Sequence, residues 1–230
     1  MNRRLFLVRL AVLVAGASAL MKSVSSWAKG LPSDQRTATT GTVAPQPGAL
    51  PSFDKDNAFP LEKALLERRS VRSYDGVRRL SQMEVSRLLW AATGVNRPDG
   101  RRTVPSALAR YPVDVIAALP EGAFQYEPGT HSLKRLLSED IRGQIPNQDG
   151  FKRAGMIVLY VINKDKVPNG MIEWADLEIG CMGQSLFLEA TALGLGSCIF
   201  AFLAREDVSK ALGLTTKQLL RVAQAVGGVK

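Results

Sequence analysis

Apolar residues fall at helical spacing at Leu61, Ala64 and Leu65, and the same stripe carried forward reaches Arg68, Arg69 and Arg72, which predicts a helix over about Leu61 to Arg69. In "LSQMEVSRLLWAATGV", Ser81 and Glu84 form a capping box ahead of a stripe of Val85, Leu88, Leu89 and Ala92, a second helix. "YPVDVIAAL" reads as a strand, "GAFQYEPGTHSL" as a strand and turn leading into a helix-like run, and "GMIVLYVI" as a strand buried on both faces. "MIEWADLEIGCMGQSLFLEATALGLG" is a long helix with a glycine stop, apolar almost all round, and so belongs at the centre of a core or an interface. "SCIFAFL", a short helix from Arg205 and a last strand "LLRVAQAVGG" complete the chain. Helices and strands mix without strict βαβ alternation, so the fold class is α+β.

The chain before Leu61 follows another grammar. Arginines at positions 3 and 4 precede an apolar run from Leu10 to Met21, then Ser26-Trp27-Ala28, a small-x-small cleavage pattern. A run of about a dozen residues falls short of the ~20 that span a bilayer. Arg3-Arg4-Leu5-Phe6-Leu7 is similar to the twin-arginine export consensus, which implies an exported, periplasmic protein that travels already folded. Residues 29–59 are rich in Pro, Thr, Ser and Gly and read as a linker or extended arm, leaving 60–230 as one globular domain.

Charge and rare residues narrow the chemistry. The net charge of +9 includes four cations and no acid within residues 1–28, so the remainder is only mildly basic. No lysine run interleaved with aromatics and no zinc-finger spacing points to nucleic acid. Cys181 and Cys198 lie in apolar surroundings without metal or redox spacing and read as buried thiols. The single histidine, His131, follows a turn and reads as a surface or capping residue. HExxH, GxSxG, GxGxxG and Walker patterns are absent from the sequence, so hydrolase, zinc-protease and dinucleotide-fold readings have no support. Trp90 and Trp174 read as packing anchors, and Glu178 as a carboxylate that pairs with an arginine across a subunit interface.

"LERRSVRSY", residues 66–74, concentrates three arginines and two serines. Two readings stand side by side: arginines complementing a helix end and pairing with Glu62 and Glu67, or an anion site whose guanidinium forks match a phosphate.

Taken in order, "RRSVRSY", "LLWAATGVNRPDGRRTVPSA", "YPVDVIAAL", "LEIGCMGQSLFLEATALGLGS" and the late "VGG" resemble the nitroreductase family of flavoproteins, on the side of its azoline-oxidising dehydrogenases, from about Leu61 to the C-terminus. The resemblance implies an FMN-binding α+β homodimer, with a mainly antiparallel sheet of four or five strands wrapped by helices. It implies that Arg68, Arg69, Ser70 and Arg72 hold the phosphate and ribityl chain, and that Pro105, Ser106 and Ala107 lie beside the flavin ring. Backbone N–H groups of Ile199, Phe200, Ala201 and Phe202 would approach its polar edge, and Lys230 takes the place of a further basic residue for the phosphate.

The implied activity is hydride transfer through the flavin to or from a small organic substrate, in nitro, quinone or dehydrogenation chemistry. Export leaves three ways open: an electron donor other than NAD(P)H, an uncleaved signal that faces inward, or an oxidase or dehydrogenase that passes electrons onward. The sequence departs from the family pattern at Leu108 and near Ala201, where glycines are usual, at Arg110, and in lacking a counterpart of the azoline dehydrogenases' Lys-Tyr pair. The missing glycines leave an alternative open, a degenerate module that binds flavin or another anion without turnover.

Overall fold

The computed structural model describes residues 44–56 and 59–230. The export pattern of residues 1–28 and the first part of the Pro- and Thr-rich stretch lie outside the described residues.

Seven strands form one sheet: β1 (Gly48–Ala49), β2 (Val113–Leu119), β3 (Gly122–Glu127), β4 (Ser132–Leu137), β5 (Met156–Asn163), β6 (Gly196–Phe200) and β7 (Gln218–Gly227). They lie in the order β1-β4-β3-β2-β5-β7-β6, and every neighbouring pair is antiparallel. The helices are α1 (Leu61–Glu67), α2 (Gln82–Thr93), α3 (Ile172–Ala192) and α4 (Arg205–Ala211). This is the α+β architecture read from the sequence, with more strands than the four or five implied.

Two of the extra strands have local causes. Ser132–Leu137, helix-like in composition, is instead β4, because the turn at 128–131 returns the chain against β3 with Glu127 opposite Ser132. His131 makes that turn at φ +46. Its Nδ1 lies 2.7 Å from the Tyr126 hydroxyl and its Nε2 2.8 Å from the Ser86 hydroxyl oxygen. Since Ser86 donates its only proton to the Pro51 carbonyl, Nε2 carries the imidazole proton and Nδ1 accepts from Tyr126. Burial pulls the His131 pKa below its ordinary value, so the ring stays neutral and structural. The described part of the arm then adds β1 along β4, and Leu50, buried, donates its N–H to the His131 carbonyl at 2.9 Å.

β5 explains the layering. From Met156 to Ile162 it is wholly buried, and a strand alternates its side chains between two faces. Met156, Val158, Tyr160 and Ile162 pack with α2 and α3, while Ile157, Leu159 and Val161 pack with Ile141, Ile145, Phe151 and α4's Val208. The capping box starts α2 as read: Glu84 N–H reaches Ser81 Oγ at 3.2 Å and Ser81 N–H reaches Glu84 Oε2 at 2.8 Å. α3 ends where expected, at Gly194 with φ +68.

One buried side chain ties α3 to three strands. Gln224 on β7 accepts from the Tyr160 hydroxyl at 2.7 Å and donates to the Gly183 carbonyl at 3.1 Å and Ser197 Oγ at 3.0 Å. A side chain at Gly183 would stand 3.3 Å from Gln224 Oε1, so the glycine permits this approach. Gln224→Leu should therefore cost roughly 2–4 kcal/mol, since it strands a buried phenol O–H. Equilibrium denaturation checks this, and a loss within about 0.5 kcal/mol would contradict it.

Candidate functional site

α1 stops short of its predicted end. The backbone turns extended at Arg68, with φ −52 and ψ 127, so the arginines leave the helical stripe. The extended segment can then reach the sheet: Ser70 bridges Ser197 in parallel, and Val71 N–H donates to the Ser197 carbonyl at 2.9 Å. Because β6 is the last strand of the sheet, this contact takes its outer edge, which no further strand covers among the described residues. Gly196 makes the approach feasible, since a Cβ there would meet Val71 side-chain carbons at 2.7–2.8 Å.

Three further contacts set the segment. The Tyr74 hydroxyl donates to the Val71 carbonyl at 2.6 Å and lies 3.3 Å from the Ala225 carbonyl; burial drives its pKa well above the ordinary phenol range, so it stays protonated. Gly150 packs against the Arg72 carbonyl, 2.2 Å from where a Cβ would sit. At the C-terminus, Asp75 N–H bonds the Gly228 carbonyl at 2.9 Å and Val229 bridges Tyr74, which brings the end of the chain, with exposed Lys230, beside the same segment.

The guanidinium of Arg68 stacks 5.3 Å from the Phe187 ring centre on α3, and Arg69 Nη1 donates to the carbonyls of Leu66 and Arg68 at 2.7 and 2.8 Å. Neither Arg68 nor Arg72 has a carboxylate within ion-pair distance among the described residues, so the reading in which they pair with Glu62 or Glu67 does not hold. Both act on the buried Cys198 thiol: burial pushes its pKa up, and Arg72, a hydrogen bond to Ser70 and Arg68 pull it back. Arg68, Ser70 and Arg72 thus surround one stretch of β6. Both cysteines are free thiols.

From Ser197 onward, β6 and the residues after it line the same edge. Phe200 is buried and stacks on Phe151 at 4.5 Å, whereas Ile199, Ala201 and Phe202 face outward. Pro105, Ser106 and Ala107 lie elsewhere, lining an open cleft of about 480 Å³ with Leu108, Trp174, Leu177, Glu178 and Cys181. Phe187, under Arg68, is nine residues beyond Glu178 on α3, roughly 13 Å along the helix axis. One chain therefore holds the basic segment and the Pro-Ser-Ala turn at different heights on α3.

Leu108, where a glycine is usual in the family, has φ +52, followed by Ala109 at +53 and Tyr111 at +46. The backbone keeps the left-handed turn that glycine favours, at a cost of about 1–2 kcal/mol for leucine. Trp174 is half-buried in the cleft wall, and Trp90, equally half-buried, packs edge-on against Phe53 at 5.4 Å.

Glu178 is the residue whose environment composition did not reveal. It is 3% exposed, and neither carboxylate oxygen has a hydrogen-bond partner among the described residues. Burial pushes its pKa up to about 7, while the nearby Ser106 hydroxyl, which completes no well-formed hydrogen bond to it, and the Arg102 guanidinium pull it down. Within the chain its nearest cation, Arg102, donates to Thr93 Oγ1 at 3.1 Å and stacks on Tyr111 at 4.3 Å, so the arginine expected for Glu178 would have to come from across an interface. The available signal was an acid set among Leu177, Ile179, Cys181 and Met182 on α3.

The nitroreductase family model matches residues 65–228. A protein of Methanocaldococcus jannaschii named as a nitroreductase is 31% identical over 162 residues, covering 64% of this chain and 80% of its own. A solved nitroreductase-type structure from Ralstonia eutropha superposes with a TM-score of 0.72 at 28% identity, over 83% of this chain and 96% of that one. A nitroreductase-type structure from Desulfovibrio desulfuricans in complex with FMN has a TM-score of 0.55 at 20% identity, over 76% and 91% of the chains. The Escherichia coli microcin synthetase complex gives 0.65 at 18%, over 87% and 83%. At those lower identities the likeness is one of fold.

The Glu178 carboxyl gives a signed expectation. The unfolded side chain ionises near 4.5 and the folded one near 7. Between those values the folded state binds more protons, so stability falls as pH rises through that window, and the penalty is complete above it. Relative to wild type, Glu178→Gln should gain roughly 2–3 kcal/mol between about pH 5 and about pH 8 in denaturant titrations. A difference that does not change with pH would contradict the assignment.

Proposed function

The chain belongs to the nitroreductase family, and from that premise we propose that it is an FMN-dependent oxidoreductase acting on a small organic molecule. The observation that carries this reading is the pair of guanidinium groups with no acid partner among the described residues, Arg68 and Arg72, on a segment fixed to the sheet edge. Two cations that act on the same stretch of β6 call for an anion, and a phosphate dianion matches planar guanidinium forks with charge enough for both. Ser70 adds a neutral donor, and Lys230, beside the same segment, adds charge.

Bound there, FMN would supply two-electron chemistry, with hydride passing to or from a nitro compound, a quinone or a saturated substrate. The chain's own contribution is position and polarity. Arg68, Arg69, Ser70 and Arg72 would anchor the phosphate end, and the outward edge at Ile199, Phe200, Ala201 and Phe202 would offer backbone donors to the polar rim of the ring. Pro105, Ser106 and Ala107 border the cleft in which a flat reactant fits.

A homodimer is part of the proposal. Leu61, Leu65 and Leu66 on α1, Leu177 on α3 and Phe202 are large apolar side chains left more than half exposed in one chain. A second copy covering them would hide this apolar surface and could bring the basic segment of one subunit to the Pro-Ser-Ala turn of the other. The azoline-oxidising reading has no Lys-Tyr pair to support it. The rival reading, a module without turnover, loses ground because Leu108 keeps the left-handed turn despite the missing glycine. The twin-arginine pattern supports a place outside the cytoplasm, and with it an electron partner other than NAD(P)H.

The test is the absorption spectrum of the purified protein. A bound flavin that bleaches on anaerobic dithionite and returns in air, and that is identified as FMN after denaturation, supports the reading. Protein that is colourless and fails to take up added FMN overturns it. Arg68→Ala and Arg72→Ala should each weaken FMN binding about 10- to 100-fold, the worth of one charged hydrogen bond. Flavin fluorescence titration measures this, and unchanged affinity in both variants would remove the phosphate assignment.

A further inference from the structure

The cleft beside the Pro-Ser-Ala turn contains a buried carboxyl that the flavin reading leaves without a task. Its walls are largely apolar, from Ala107, Leu108, Trp174 and Leu177, and its polar members are Ser106 and Glu178. The Ser106 oxygen accepts the Tyr111 backbone N–H at 2.8 Å, so its own proton is free to point elsewhere. Glu178 is nine-tenths buried or more, borders the open cleft, and has both oxygens unpartnered among the described residues. Buried polar groups are nearly always paired in folded proteins, so an orphaned carboxyl at a cleft wall marks a place where a ligand completes the pairing.

The groups around Glu178 define when it can donate. Arg102, on the strand-like segment before the Pro-Ser-Ala turn, is the cation whose field reaches it; Asp114 of β2 and Tyr111 and Tyr126 act in turn on Arg102. On α3 itself, Asp176 is occupied by Arg221 of β7 at 2.7 Å, and Cys181 borders the same cleft. Gln224, which meets α3 at Gly183, is neutral, and the Arg87–Glu189 pair that joins α2 to α3 is self-contained at 2.6 Å.

We propose that Glu178 is a specificity-determining residue of a reactant site in this cleft: its protonated carboxyl donates a hydrogen bond to a nitro or carbonyl oxygen of a planar, uncharged molecule, and its ionised form rejects that molecule and excludes anions. The inference rests on the flavin reading in taking the cleft as the place where a reactant sits. Apolar walls on either side suit a flat ring, and a single buried donor suits one acceptor oxygen. A site built around one hydrogen bond discriminates strongly, because a ligand that cannot use it leaves the group unpaired. The pKa, pushed up by burial to about 7, agrees with this geometry, since it keeps the carboxyl neutral below that value.

Isothermal titration calorimetry on the full-length protein, with whatever flavin it carries, tests the proposal with 4-nitrobenzamide as the neutral probe and 4-nitrobenzoate as its anionic isostere. Only the protonated fraction binds, so affinity for the amide should fall about tenfold between about pH 6 and about pH 8. The benzoate should bind at least about tenfold more weakly than the amide. Glu178→Gln should bind the amide with no pH dependence. Ser106→Ala, which leaves the carboxyl in place and removes the hydroxyl that eases its charge, should move the midpoint of the pH profile upward.

A wild-type profile flat with pH, equal affinity for the two probes, absence of binding, or a Glu178→Gln variant that keeps the wild-type profile would each overturn the inference. The visible spectrum of the same samples separates the two readings. Flavin-loaded protein with pH-independent binding overturns this inference alone, and flavin-free protein that cannot be loaded yet shows the preference for the neutral probe overturns the flavin reading alone.

Discussion

The hydrogen bond from the Val71 amide to the Ser197 carbonyl is the contact on which the rest of the site depends. It requires the chain to leave α1 at Arg68, because a helix continued through Arg72 could not lie along a sheet edge. It also requires Gly196, where any side chain would collide with Val71. Once formed, it places Arg68 and Arg72 around β6 instead of along a solvent-facing helix, and Tyr74 pins the following turn to β7. The cationic segment is thus held by backbone bonds, which leaves the guanidinium groups of Arg68 and Arg72 available to a ligand.

α3 supplies the second axis. Its buried side packs on the sheet through Ile179, Met182, Leu186 and Ala190, and Gln224 fastens its middle to β5, β6 and β7. The remaining faces carry the site: Phe187 lies beneath Arg68, and Trp174 and Glu178 form the cleft opposite the Pro-Ser-Ala turn. A helix apolar almost all round is therefore apolar for two reasons, a core on one side and a ligand cleft with a proposed subunit contact on the other.

Local signals in the sequence were reliable where the structure is local. The Ser81–Glu84 box, the length of α3 with its glycine stop, and the doubly buried β5 all follow from residues close together in the chain. What misled was pairing with another segment, near or far. Ser132–Leu137 has a helix-like composition, and pairing with β3 makes it a strand. The end of α1 is set by a partner more than a hundred residues away, Ser197, which no helical periodicity can register. The motif "RRSVRSY" drew attention to the segment now proposed to hold an anion, although the helical stripe invoked for it stops at Glu67. Glu178 was visible as an acid among apolar neighbours on α3, but whether such an acid finds a partner is decided by packing, and within this chain Arg102 turns to Thr93 and Tyr111 instead.

The central claim is that the Arg68–Arg72 segment at the edge of β6 holds a phosphate dianion. Phosphorus-31 NMR of the flavin-loaded protein measures that directly. A free phosphate monoester gains its second charge near pH 6, whereas one clamped between guanidinium groups should stay dianionic, with a shifted resonance that does not titrate between about pH 5 and about pH 8. Arg72→Ala should restore part of the titration. A resonance that titrates like that of the free cofactor in the wild-type protein would contradict the account.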